Sequence, residues 1–261
     1  MASGVASDPG LVEAWLEAEP EWRLARVFLA QAREPRMEAW CAFEHALRET
    51  VWRVRDARVA QAKLGWWLED IGQARAGAAQ HPLLQRLGSL DALDVLDRGG
   101  AEGILRGAAH AAAMESPADM ESMLAAFVAL EQPLAQARAR LAGTAVAEVE
   151  IVRGLAAARV LCECRHWARF ALPERARLPL ALLARVGKGR DAALAQGPLL
   201  AAALADALLP HIEAALAAGS PSALDTATLL IGRSLAARRP RVAHWRLAFA
   251  LWRLARHALR A

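Results

Sequence analysis

The sequence predicts an all-α fold, and three observations predict it. Hydrophobic residues make up 56% of the 261 positions, enough to bury a sizeable core. Ala, Leu and Arg dominate, and these rank high in helix propensity because little side-chain freedom is lost along a helix. Tyr is absent and Ile and Thr are few, which removes much of the usual material of strands.

Proline and glycine then divide the chain into successive helices. The first is expected over Asp8–Glu19, stopped by Pro20, and a second over Trp22–Ala32 before the turn at Glu34-Pro35. From Met37 to Ala74 apolar residues keep helical spacing (Trp40, Phe43, Leu47, Val51, Leu64, Trp67), with a break at Asp56-Ala57. His81-Pro82 opens the next helix, and Asp91–Gly107 reads as short helices around Arg98-Gly99-Gly100. Ala118–Leu141 reads as a helix broken or kinked at Pro133, and Thr144–Phe170 as a very apolar one. Pro173 and Pro179 mark an irregular connection. The closing helices are expected over Arg190–Ala195, Leu199–Leu208, His211–Ala217, Ala223–Ala237 and Val242–Leu259. No internal repeat or linker divides the chain, so residues 1–261 read as one domain.

Several function classes drop out. Cys41, Cys162 and Cys164 are too few for a disulfide framework and lack zinc spacing, so they read as small buried hydrophobes in a reducing compartment. The first ten residues show no signal-peptide pattern. The most apolar stretch, Leu199–Leu209, is interrupted by Asp206 and ended by Pro210, too short to cross a bilayer. A cytoplasmic protein is expected, with peripheral contact at the inner membrane face left open. No nucleophile elbow, zinc-protease motif or phosphate-binding glycine loop is present.

The net charge of +4 hides an asymmetry. No carboxylate follows Asp225, yet eight arginines do, so residues 226–261 carry +8 and the first 225 carry −4. In the last helix Arg239, Arg246, Arg253 and Arg260 recur every seven residues, beside an apolar arc of Trp245, Leu247, Phe249, Leu251, Trp252, Leu254 and Leu259. A membrane- or partner-facing basic helix would look like this. So would a closing helix that buries its arc in the bundle and solvates one basic stripe, and the width of the arc favours that second reading. Nucleic acid is not expected, because no recognised motif accompanies the charge.

Four segments, in order, carry a resemblance. Phe28-Leu29, Arg36 and Ala39–Phe43 are followed by Lys63-Leu64-Gly65-Trp66-Trp67, then His81-Pro82, then Arg177-Leu178-Pro179-Leu180-Ala181-Leu182-Leu183. Their order and spacing resemble the squalene/phytoene synthases, the head-to-head prenyl synthases. The resemblance implies a terpenoid-synthase-like bundle of about 10–13 helices around a central cavity or a filled core. In that family two helices present paired aspartates whose carboxylates hold Mg²⁺, which neutralises the diphosphate leaving group of a prenyl substrate.

The resemblance places the first of those motifs at Arg48-Glu49-Thr50-Val51-Trp52 and the second at His166-Trp167-Ala168-Arg169-Phe170. Glu49 is the one carboxylate among them. No catalytic residue, metal ligand or cofactor is therefore expected. The chain reads as a non-catalytic relative, a binding or assembly factor for an unknown protein partner or an apolar lipid or isoprenoid. The family includes such members, among them a mitochondrial assembly factor for respiratory complex I. A candidate anion pocket is formed by Arg48, Glu49, Trp52, Arg165, His166 and Arg169, although His166 on an apolar helix also reads as a plain core residue. The alternative is an active Mg²⁺-dependent prenyl synthase with atypical ligands, Glu49 with Asp91, Asp94 and Asp97. Those three aspartates, three residues apart, read better as a solvated helix face.

Overall fold

Alternation of apolar runs with capping residues builds twelve α-helices among the residues that the computed structural model describes, which are 9–54, 56–169, 178–186, 197–219, 222–236 and 240–258. They are α1 (Pro9–Ala18), α2 (Glu21–Phe28), α3 (Pro35–Arg53), α4 (Ala57–Arg75), α5 (Pro82–Ser89) and α6 (Arg98–Ala113), then α7 (Met120–Ala142), α8 (Val149–Arg169), α9 (Leu180–Val186), α10 (Gly197–Ala218), α11 (Ala223–Leu235) and α12 (Pro240–Ala258). The helix expected at Arg190–Ala195 lies outside the described residues.

Helix starts follow side-chain chemistry. The carboxylates of Asp56, Asp97 and Asp119 accept from the backbone N–H groups of Arg58, Gly100 and Ser122, which fixes the starts of α4, α6 and α7. The His81 ring nitrogen caps α5 by accepting from Leu83 N at 3.1 Å, with Pro82 in the first turn where no N–H is needed. The buried Asp70 carboxylate accepts from the Gln80 and His81 N–H groups at 2.7 and 2.8 Å. It thereby ties the Trp66-Trp67 stretch of α4 to the His81-Pro82 turn, where the Trp67 and His81 rings lie 4.6 Å apart.

Four expectations from the sequence need correction. Arg98-Gly99-Gly100 is the first turn of one long helix, α6, because Asp97 caps it. Asp91, Asp94 and Asp97 are solvated but share no helix face: Asp91 sits in a turn at φ 51°, Asp94 in a 3-10 turn, and Asp97 is the cap. Neither Pro133 nor Pro210 ends its helix. Pro133 cannot donate to the Ala129 carbonyl, and Gly107 of α6 packs straight onto that carbonyl. In α10, packing against α8 carries the helix through Pro210. Leu199–Ala218 is consequently long and apolar enough, by length and composition, to cross a membrane, and 28% of its most apolar window is buried. Lastly, Phe249 and Trp252 of α12 are exposed, while Leu247 and Leu251 take the buried side.

The layout centres on α8, whose residues from Ile151 to Glu163 are buried almost all round except Arg153. α7, α10 and α11 pack against it, α6 against α7 and α4, α1 against α3, and α12 against α11 and α2. One cluster of buried side chains runs from Trp15 to Leu251. Glycines let the backbones approach: a Cβ on Gly154 would stand 2.3 Å from Ala215 Cβ, and one on Gly232 would stand 2.4 Å from Ala158 Cβ.

Gly107→Ala is expected to destabilise the fold by about 1–3 kcal/mol, because its Cβ would stand 2.2 Å from the Ala129 oxygen. Gly72→Ala, in α4 with nothing within 4 Å, should stabilise by about 0.5–1 kcal/mol. Paired denaturation curves check both signs.

Candidate functional site

Helical spacing on α3, α7 and α8 points charges inward. Glu44, Arg48 and Trp52 are four residues apart and continue the face begun by Trp40. Glu131 and Arg138 lie two turns apart on α7, and Arg159 and Glu163 one turn apart on α8. All of these side chains are buried, as are Glu19 at the end of α1 and Asp225 in the first turn of α11.

Glu19, Glu44, Arg48, Glu131, Arg138, Arg159 and Asp225 form one ion-pair network. Arg48 donates through Nη2 to Glu44 Oε2 at 2.9 Å and to Glu131 Oε1 at 2.8 Å, and through Nε to Glu131 Oε1 at 3.0 Å. Arg138 donates to Glu44 Oε1 at 2.5 Å and to Asp225 Oδ1 at 3.1 Å, with Glu131 Oε2 3.7 Å away. Arg159 donates to Glu19 Oε2 at 2.8 Å. Trp40 Nε1 donates to Glu44 Oε1 at 2.6 Å. Trp52, one turn beyond Arg48, stacks on Phe127 of α7 at 4.3 Å between ring centroids and 10° between planes. These ion pairs and the stacked rings bridge α3 and α7.

His45 completes the cluster at its edge, 3.6 Å from Glu19 and 3.3 Å from Glu49. Burial opposes its charge, but the hydrogen bonds it donates to Glu19 and Glu49 outweigh burial and push it up to about 9. With His45 protonated, four cations (Arg48, Arg138, Arg159, His45) face five buried carboxylates (Glu19, Glu44, Glu131, Glu163, Asp225). One carboxylate too many must hold a proton or strain for one. Burial, aided by Glu19, pushes Glu163 up to about 7. Asp225 is also raised, although it is paired with Arg138, because burial and the nearby Glu44 and Glu131 outweigh that partner. Glu19 and Glu44 go the other way: burial opposes their charge, but Arg159 and Arg138 respectively lead the attractions that hold them below the usual range.

The sequence-derived candidates divide. Arg48 and Trp52 face the interior, whereas Glu49 is half-exposed and pairs with Arg53 and His45. Arg165, His166 and Arg169 belong to the last turns of α8, and their side chains lie outside the described residues. Glu49 does not meet the Asp91–Asp97 region. The Asp91 carbonyl accepts from Arg36, thirteen residues before Glu49 along α3, which is about 20 Å of helix. Asp97 pairs instead with Arg140 on the surface. In the basic stripe, Arg246 and Arg253 are exposed, and Arg239 and Arg260 lie outside the described residues. Sequence reasoning missed Glu44, Glu131, Arg138, Arg159, Glu163 and Asp225. Their one signal was phase, since Glu44 and Glu131 fall one turn after Trp40 and Phe127 on apolar faces.

The donor set suits arginine better than magnesium. Mg²⁺ needs several free carboxylate oxygens around one point. Here Glu44, Glu131, Asp225 and Glu19 all lie against guanidinium groups. Among the described residues no group of three or more His, Cys, Asp and Glu is placed to hold a metal ion.

Twelve helices around one buried core, with no strand among the described residues, make an all-α bundle. The solved structure of squalene synthase HpnC from Alicyclobacillus acidocaldarius is similar to 98% of this chain and 97% of its own, at a TM-score of 0.53 and 15% sequence identity. At that identity the likeness is one of fold, and this chain has a squalene synthase-like fold. No protein-family model matches the sequence, and no curated protein sequence does.

Two outcomes follow. Arg138→Met should destabilise the protein by about 3–5 kcal/mol in chemical denaturation, because it strands Glu44 and Asp225 without their partner. Glu163 and His45 both have folded pKa values raised above their unfolded ones. Their stabilisation is therefore whole below the unfolded values and is lost as pH rises through about 7 and about 9. Glu163→Gln should raise Tm by roughly 3–5 °C at pH 8, with the difference closing only below about pH 4.5. An equal offset at both pH values would contradict this.

Proposed function

We propose that this protein is a non-catalytic user of the squalene synthase-like fold, serving as a binding or assembly protein. The observation that carries the reading is Arg48. It stands where the resemblance to squalene/phytoene synthases expects a metal-ligating carboxylate, and its guanidinium is held by Glu44 and Glu131. A magnesium ion brought there would meet a fixed positive charge in a medium of low dielectric, where repulsion is strong. Trp52, at another expected ligand position, contributes an indole stacked on Phe127. Ion pairs and stacked rings stand between α3 and α7, which supports the same reading. The reading therefore puts recognition of the partner, a protein or an apolar lipid or isoprenoid, on surfaces outside that interior.

The test is turnover. Purified protein incubated with farnesyl or geranylgeranyl diphosphate, Mg²⁺ and NADPH should yield no squalene, phytoene or diphosphate above a no-protein control. Measurable product would establish the competing reading, an active Mg²⁺-dependent prenyl synthase with atypical ligands.

A further inference from the structure

The outward face of α12 has a composition that packing does not explain. At 100° per residue, Arg246, Phe249, Trp252, Arg253 and Arg256 fall within one arc of about 120°. All five are exposed, Phe249 by 59% and Trp252 by 40%, while Leu247 and Leu251 are buried on the other side. The helix is thus anchored to the bundle without Phe249 and Trp252. These are ordered on the surface: their rings stack at 5.6 Å between centroids, and the Arg256 guanidinium lies 4.9 Å from the Trp252 ring. A stripe that merely solvated its charge would carry arginine among small or polar residues, not paired rings.

Charge selects the occupant. Residues 226–261 carry eight arginines and no carboxylate. Beside this face runs a groove of about 420 Å³ between α10, α11 and α12, with Arg233 and Arg246 above the apolar Leu209, Leu230 and Leu247. The one carboxylate lining it, Glu213, lies 3.8 Å from Arg233. Aromatic rings that enter the interface, flanked by arginines at headgroup height, are the chemistry that recognises an anionic bilayer surface.

We propose that α12 seats the protein on anionic lipid membranes, with Phe249 and Trp252 inserted among the acyl chains and Arg246, Arg253 and Arg256 on lipid phosphates. Binding is peripheral, falls as salt screens the charges, and is independent of any chemistry in the bundle interior.

Co-sedimentation with sucrose-loaded vesicles tests it, using phosphatidylcholine alone and phosphatidylcholine with 30% phosphatidylglycerol. The full chain should pellet with the anionic vesicles and not with the neutral ones. Phe249→Ala/Trp252→Ala should abolish pelleting, and Arg253→Gln and Arg256→Gln should each weaken partitioning about fivefold. Because all four side chains are exposed, unchanged circular dichroism and Tm would show that the variants remain folded. Equal pelleting with both vesicle types, or variants that bind like the parent, would overturn the proposal. So would a dimer of the parent in light scattering that these variants dissolve, since the face would then belong to a second copy.

Discussion

Charge balance inside a low-dielectric core is the constraint on which the rest of this structure depends. Arg48, Arg138 and Arg159 cannot shed their protons, so each must keep a carboxylate within reach or the fold loses several kcal/mol. Their partners come from α3, α7, α11 and the residue that follows α1, with pairs separated by up to 140 residues. Satisfying all of them at once fixes how these helices sit around one another. Glu44, bonded to Trp40, Arg48 and Arg138, joins two of the arginines by itself.

The same constraint explains the close backbone approaches. A guanidinium reaching from α7 to α11, as Arg138 does to Asp225, needs helices that cannot drift apart. Gly154 and Gly232 bring α10 and α11 against α8 at distances no side chain would allow, and Gly107 brings α6 onto α7 over the carbonyl that Pro133 leaves free. Packing and pairing therefore reinforce one another: glycine contacts set the spacing, and ion pairs set the register.

Much of the fold was legible in the sequence because helix composition, caps and apolar spacing are local properties. The breaks at Pro20, Asp56 and His81-Pro82 follow from side chains acting on adjacent backbone. Pro210 misled because a helix packed along its length tolerates a lost hydrogen bond, and that packing is not local. The site was legible only in part. Arg48 and Trp52 could be placed by resemblance, but Glu44 and Arg48 alone look like an ordinary surface pair four residues apart. Glu131, Arg138, Arg159 and Asp225 acquire meaning only when distant helices meet. In α12 the apolar arc looked wide enough to pack entirely, and what the sequence lacks is the direction from which α2 and α11 cover it.

Arg48 and the carboxylates around it act as one structural unit. A double-mutant cycle on Arg48→Met and Glu131→Gln, read by urea unfolding, tests it most directly. If the network is a unit, the double variant loses less stability than the sum of the single losses, by about 1–3 kcal/mol. Additivity within about 0.5 kcal/mol would mean that the two groups are not coupled, and the account would fail.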